Sequence, residues 1–285
     1  MDGQHVRPDR RKFLSESIAE RISVIQQDVW LDYKPSEFIF RIMNNMARVP
    51  KRQTAPALLV VGAGGTGKSS IISQISSKVE NSKGVIYLDL AESPEIGAKK
   101  TFRMELARGL GLPDLQQVRG GKDMLPKELL EVIHLRGIWG IVIDELHEAL
   151  LRPKQEQRSN LSIIKKLVGL EYGLKVFAFG TDSARLALSS NGELKRRFYE
   201  YSLADWGETE EFRSFLLEFE EFLPLKIPSK LYTEDMVKAI LAITGGRMDK
   251  TVELLRTAAC YAVKTGEESI SIEGLRRASM GPWGY

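Results

Sequence analysis

Apolar residues recur along this chain with two different periods, and the alternation between them outlines an architecture. Four short apolar runs predict strands buried on both faces: Leu58-Leu59-Val60-Val61, Val85-Ile86-Tyr87-Leu88-Asp89-Leu90, Trp139-Gly140-Ile141-Val142-Ile143 and Lys175-Val176-Phe177-Ala178-Phe179-Gly180. Around them the apolar positions fall at helical spacing. Ile18, Ile22, Ile25 and Val29 predict a helix within Phe13 to Trp30, and Phe38, Ile42 and Met46 a second one that stops before Pro50. A helix starts at Ser69, another runs to Leu110 after the loop Ser93 to Gly97, a loop spans Leu112 to Asp123, and helices follow around Pro126 to Leu135 and over Leu150 to Leu167.

From Asp205-Trp206-Gly207 onward every strong pattern is helical. Phe212, Phe215, Leu216 and Phe219 form one stripe, Met236, Val237, Ile240 and Leu241 another behind a Thr233 cap, and Leu254, Leu255, Ala258 and Ala262 a third after Thr244-Gly245-Gly246-Arg247. Ser271 caps a last short helix. The expected organisation is an N-terminal helical extension (1–55), an α/β core with a parallel sheet (56–204), and a C-terminal helical lid with a tail (205–285).

Composition supports a folded chain: 43% of the 285 residues are hydrophobic, enough for a sizeable core. The formal charge is +3, and residues 1–52 carry the whole excess, with 10 Lys and Arg against 7 Asp and Glu. Such weak basicity neither demands nor excludes nucleic acid, because a balanced chain can still carry a local basic stripe. The single cysteine, Cys260, lies in an Ala-rich helical pattern, cannot form an internal disulfide, and reads as core packing in a reducing compartment. Asp2 to Lys12 is charged, and no apolar run approaches the ~20 residues needed to cross a bilayer, so no membrane association and a cytoplasmic location are expected.

The candidate chemistry begins at Gly62-Ala63-Gly64-Gly65-Thr66-Gly67-Lys68-Ser69, which fits the P-loop pattern G-x-x-x-x-G-K-[ST] between a strand and a helix. Glycines let successive N–H groups curl toward phosphate oxygens, and the positive end of the following helix favours the same charge. Gly62 to Ser69 together with Ser70 are the expected ATP-binding residues. Lys68 would reach the β- and γ-phosphates, and Ser69 would ligate Mg2+. A second landmark is the apolar strand that ends in Asp144-Glu145. In P-loop ATPases such an aspartate, expected on the strand beside the P-loop strand, holds magnesium, and the glutamate after it polarises the attacking water.

Three further positions match places where ring-forming ATPases carry functional side chains. Thr181, after the fourth apolar strand, stands where a sensor contacts the water or γ-phosphate; an N-cap role is equally compatible. Arg197, in Glu193-Leu194-Lys195-Arg196-Arg197-Phe198, stands where an arginine finger reaches a neighbour's nucleotide, with Arg196 in reserve and a solvated helix end as the plain reading. Arg247, at the first turn of a helix, works against the helix dipole and fits a second sensor toward the γ-phosphate.

This plan is that of the AAA+ ATPases, and more narrowly the chain resembles the TniB/TnsC family, ATPase regulators of transposition. The resemblance rests on Asp28-Val29-Trp30-Leu31-Asp32-Tyr33, Leu146-His147-Glu148-Ala149-Leu150, Gly180-Thr181-Asp182, Leu194 with Arg197-Phe198, and Thr244-Gly245-Gly246, over roughly residues 20 to 265. Two stretches depart from it. Many TniB proteins have an Asn-rich P-loop in place of Gly64-Gly65-Thr66, and an acidic-Pro-Gln-Leu run in place of Asn191-Gly192-Glu193-Leu194.

The resemblance implies ATP-driven assembly of a homo-oligomeric ring or filament on double-stranded DNA. It also implies recruitment of a TniA/TnsB-like transposase with a TniQ-like target-selection protein, and disassembly on hydrolysis. Lys99, Lys100 and Arg103 stand where members of the family line the DNA-facing channel, with Arg152 and Lys154 as weaker candidates; a solvated helix face is the alternative. A helicase-loader or clamp-loader ATPase, or a nucleotide-dependent signalling switch that never touches DNA, would share the same phosphate chemistry.

Overall fold

A computed structural model describes residues 3–91, 101–112 and 127–285. In chain order its elements begin with α1 (Ile18–Ile25), α2 (Lys34–Ala47), β1 (Ala57–Gly62), α3 (Lys68–Lys78), β2 (Val85–Asp89), α4 (Phe102–Gly109) and α5 (Lys127–Leu135). There follow β3 (Gly140–Asp144), α6 (Leu146–Leu150), α7 (Lys154–Leu167), β4 (Lys175–Gly180), α8 (Asp182–Ser189), α9 (Gly192–Lys195) and β5 (Phe198–Leu203). The last four are helices, α10 (Glu210–Phe222), α11 (Glu234–Thr244), α12 (Met248–Thr265) and α13 (Ile272–Met280). The chain divides into two compact units, one made of Pro35–Gly64 with Lys68–Ala204, the other of Met1–Lys34, Gly65–Gly67 and Asp205–Tyr285.

The first of these is the α/β unit. Its five strands are parallel and run in the order β2-β3-β4-β1-β5. Side chains alternate across the pleat, and both faces are filled. On one face Leu59, Val61, Ile141, Ile143, Val176 and Ala178 join a core completed by Leu106, Leu146, Ile163, Ile164 and Leu167. On the other, Leu58, Val60, Val142, Phe177 and Phe179 are equally buried. Each Val, Leu, Ile or Phe side chain so removed from water contributes roughly 1.5–3 kcal/mol.

The strand order corrects one expectation. β3, which ends at Asp144, is not beside the P-loop strand β1; β4 lies between them. Connection length and apolar content do not distinguish the two orders, because either one buries the same runs.

The second unit is helical. Phe212, Phe215, Leu216, Val237, Ile240, Leu255, Ala259 and Leu275 build its core, and Ile25 and Leu31 from the N-terminal segment belong to the same core. The helix expected within Phe13 to Trp30 is shorter than its apolar spacing suggests. Ser17 is extended (φ −60°, ψ 156°) and closes a capping box in which its Oγ accepts the Glu20 N–H while the Glu20 carboxylate accepts the Ser17 N–H. Helix α1 therefore starts at Ile18, and Arg11–Ser15 forms a separate turn of 3-10 helix.

Candidate functional site

β1 delivers the chain to Gly62 and α3 takes it up at Lys68, so the glycine-rich segment spans a strand end and a helix start as its pattern requires. Gly65 and Gly67 have φ of +78° and +90°, a region that residues with a side chain avoid. No heavy atom lies within 4 Å of where a Cβ on Gly64 would sit, so open space adjoins the loop there. Lys68 is 5% exposed, and its ammonium donates to the carbonyls of Gly62 and Ala63, each at 2.8 Å. The cation is thus held against the strand end and loop that would receive phosphate.

Ser69, one residue on, is the link to the acidic strand. Its Oγ donates to Asp144 Oδ2 at 3.4 Å, and Asp144 Oδ1 accepts the Glu145 N–H at 2.8 Å. The β2–β3 register sets Asp89 directly beside Asp144. Burial, and then the charges of Glu145 and Asp89, push the Asp144 carboxyl above its ordinary pKa, against the Glu145 N–H and the Lys68 charge, which lower it. A divalent cation between Ser69 and Asp144 would relieve that repulsion, and hard oxygen donors suit Mg2+. Among the described residues no group of three or more His, Cys, Asp or Glu could hold a metal by itself. A magnesium ion here would share its coordination with phosphate and water, as is usual for that ion.

Glu145 occupies the left-handed region at φ 52°, ψ 43°, a conformation that costs of order 1 kcal/mol in a residue other than glycine. It turns the chain sharply from β3 into α6. Its Oε2 lies 3.0 Å from His147 Nδ1, off the line of a hydrogen bond, and His147 Nε2 is 3.5 Å from Glu148 Oε1. Gly180, at the end of β4, packs closely on α8: a Cβ there would sit 3.0 Å from the Ala184 Cβ. Asp89 and His147 were not singled out by the sequence for chemical roles. The available signal for Asp89 was a carboxylate at the C-terminal end of a buried strand.

Thr181 follows β4, the strand between those that lead to the P-loop and to Asp144. It is the N-cap residue of α8, yet its side chain makes no capping hydrogen bond. Arg197 is mostly covered; it pairs with Glu193 at 2.8 Å and donates to the Lys165 carbonyl at 3.4 Å. Arg196 is exposed and donates through Nε to the Gly192 carbonyl at 3.1 Å.

In the helical unit, Arg247 is the N-cap residue of α12 and its Nη2 meets Asp249 Oδ2 at 2.8 Å. The Asp249 N–H donates to the Gly65 carbonyl at 3.0 Å. Arg103 is half-buried in the first turn of α4, whose cap is Thr101, while Lys99 and Lys100 lie outside the described residues. Cys260 is buried and accepts from Gln26 Nε2 at 3.4 Å, and burial pushes its thiol pKa up, which suits packing rather than reactivity. No helix among the described residues is long and apolar enough to cross a membrane.

Comparison with known proteins places this geometry. A family model described as bacterial TniB protein matches residues 21–208. Among solved structures, the ORC2 protein of Aeropyrum pernix, in ADPNP-ADP complexes, superposes with a TM-score of 0.59 at 15% identity, over 90% of this chain and 70% of that one. Cdc6p from Pyrobaculum aerophilum gives 0.60 at 19% identity, over 90% and 70%. A Walker-type ATPase of Pyrococcus abyssi gives 0.56 at 14%, over 90% and 72%. At these identities the likeness is one of fold, that of the AAA+ ATPases. No curated protein matches the chain.

Proposed function

The chain belongs to the TniB family, and on that premise we propose that it is an ATP-hydrolysing regulator of transposition that assembles on duplex DNA. In this reading, ATP-bound subunits form a ring or filament, the assembly recruits a TniA/TnsB-like transposase with a TniQ-like target-selection protein, and hydrolysis takes the assembly apart. The observation that carries the catalytic part is the convergence of Lys68, Ser69, Asp144 and a strained Glu145 at the C-terminal ends of β1 and β3.

In this reading each residue takes a role. The amides of the loop Gly62–Gly67, with those of Ser69 and Ser70, cradle phosphate, and Lys68 swings from the loop carbonyls to the β- and γ-phosphates. Ser69 and Asp144 would hold magnesium, which would supply positive charge to offset that of the phosphates. Glu145 accepts a proton from the attacking water. Thr181 orients the water or the γ-phosphate. Arg247 leaves Asp249 for the γ-phosphate, and Arg197 leaves Glu193 to reach the nucleotide of the neighbouring protomer, which makes hydrolysis depend on assembly. Lys99, Lys100 and Arg103 grip DNA phosphates without reading sequence.

The test is to image the protein by negative-stain electron microscopy with duplex DNA and ATP, ADP or a non-hydrolysable ATP analogue. Rings or filaments that need both DNA and a triphosphate are expected. Dispersed particles in every condition, with ATP binding intact, would overturn the assembly mechanism in favour of a signalling switch.

A further inference from the structure

The helical unit holds a cavity of its own, lined by residues of α11, α12 and α13. It measures about 550 Å³, within the range of sites that take small ligands. Asp249, Lys250, Glu253, Leu254 and Thr257 bring α12 to its wall, and Ile243 brings α11.

Two polar groups on that wall are unmatched. Thr257 is 1% exposed, yet its hydroxyl has no hydrogen-bond partner, and neither has the buried Oε1 of Glu253. Four residues apart on one helix, the two side chains share a face. A hydroxyl inside a helix usually donates to the carbonyl four residues back. Thr244, Thr251 and Thr265 do so, at 2.8, 2.7 and 2.9 Å. Thr257 makes no such bond to the Glu253 carbonyl, so its hydroxyl is left for another partner.

Charge adds to the mismatch. Asp249 is held by Arg247 at 2.8 Å, whereas no cation among the described residues pairs with Glu253. Lys250 lines the same cavity three residues earlier and forms no ion pair with it. The Glu253 charge is felt by Cys260, whose thiol pKa is raised by burial first and by that carboxylate as well. A buried carboxylate oxygen and a buried hydroxyl without partners each destabilise the fold until a donor meets them.

The chemistry that fits is a primary ammonium on an aliphatic chain. Its three N–H donors can serve the Glu253 oxygen and the Thr257 hydroxyl together, while Leu254 and Ile243 give the methylenes an apolar wall. We propose that Glu253 and Thr257 form a binding site for such an ammonium, carried either by a free amine or by the side chain of a lysine. The site lies within the helical unit and needs neither nucleotide nor DNA, so it stands or falls apart from the assembly mechanism.

The probe is n-pentylamine, titrated by calorimetry into the full chain, with 1-pentanol as its neutral counterpart. Saturable binding of the amine and none of the alcohol is expected. Glu253→Gln keeps the shape of the side chain without its charge and should weaken the amine at least about tenfold, as befits loss of a charge-assisted hydrogen bond. Lys250→Ala removes a like charge and should leave binding unchanged or tighter. Circular dichroism checks that each variant is folded. No saturable binding of pentylamine, equal binding of pentanol, or equal affinity in Glu253→Gln would overturn the proposal.

Thr257→Val adds a readout that does not depend on the ligand. Without amine, its urea midpoint should not fall below that of the native protein, because an unmatched buried hydroxyl gives way to a methyl group. A clear drop would show that the hydroxyl is already satisfied, as by a bound water, and would remove Thr257 from the site. Nα-acetyl-lysine methylamide, titrated in parallel, identifies the source. Tighter binding than pentylamine assigns the site to a lysine side chain, and weaker binding assigns it to a free amine.

Discussion

Glu145 and Lys68 are separated by role: Glu145 follows the end of β3, and Lys68 opens α3 after the glycine-rich loop. Lys68 already bonds the carbonyls of Gly62 and Ala63, so phosphate binding exchanges one set of oxygens for another. Lys68→Ala is expected to lower ATP affinity by about a hundredfold, the loss of roughly 3 kcal/mol from a charge-assisted contact, as read by fluorescent-nucleotide titration. Glu145→Gln keeps the shape of the side chain but not its basicity. It should bind ATP normally and hydrolyse it some 10²–10⁴-fold more slowly, with assemblies that persist in ATP; unchanged steady-state hydrolysis would remove Glu145 from the base role.

Individual elements owe their boundaries to single polar residues. The capping box at Ser17 starts α1 and detaches it from the preceding 3-10 turn; Ser17→Ala should cost about 1 kcal/mol in urea denaturation. Glu220, buried in α10, fastens the segment that leads to α11 by accepting the N–H groups of Ser229, Lys230 and Leu231. Removing it leaves three inward-facing donors unmatched, so Glu220→Ala should cost about 3 kcal/mol or more, with Glu220→Gln recovering part. Comparable denaturation midpoints for Glu220→Ala and the native protein would refute that reading. Periodicity announced both helices, but not which side chain would close their ends.

At the scale of the molecule, the two ends of the chain are tied within the helical unit. Arg21 is buried on α1, donates through Nη1 to Glu268 at 2.8 Å and also bonds the Pro224 carbonyl. Breaking a buried pair strands its partner, so Glu268→Ala should destabilise by roughly 3–5 kcal/mol. Burial alone would raise the Glu268 pKa, but the Arg21 hydrogen bonds and charge, with Lys226, outweigh it and hold the carboxyl below its ordinary value. A carboxylate lowered by folding stabilises fully above the unfolded pKa of about 4.3, and that contribution is lost as pH falls through the folded value. Acid denaturation curves should accordingly be steeper below pH ~5 for the native protein than for Glu268→Gln; parallel curves would exclude the linkage.

Much of the candidate site was legible beforehand because its logic is local. Gly65 and Gly67 signal a loop with left-handed backbone, Lys68 and Ser69 open the next helix, and a continuous apolar run leading to Asp144 reads as a buried strand from composition alone. What local pattern could not carry is which strand lies beside which. Inserting β4 between β1 and β3 brings Thr181 between the strands that lead to the glycine-rich loop and to Asp144, pairing β2 with β3 puts Asp89 against Asp144, and the shared start of β1 and β5 gathers Arg52 with Arg196. The grouping of the first 34 residues with the C-terminal helices is of the same kind. Helix and strand character follow from neighbours a few residues away, so the chain alone determined the elements and the glycine-rich loop between β1 and α3. Partnerships such as Arg21 with Glu268 span 247 residues and leave no period in the sequence, so only the tertiary structure could decide them.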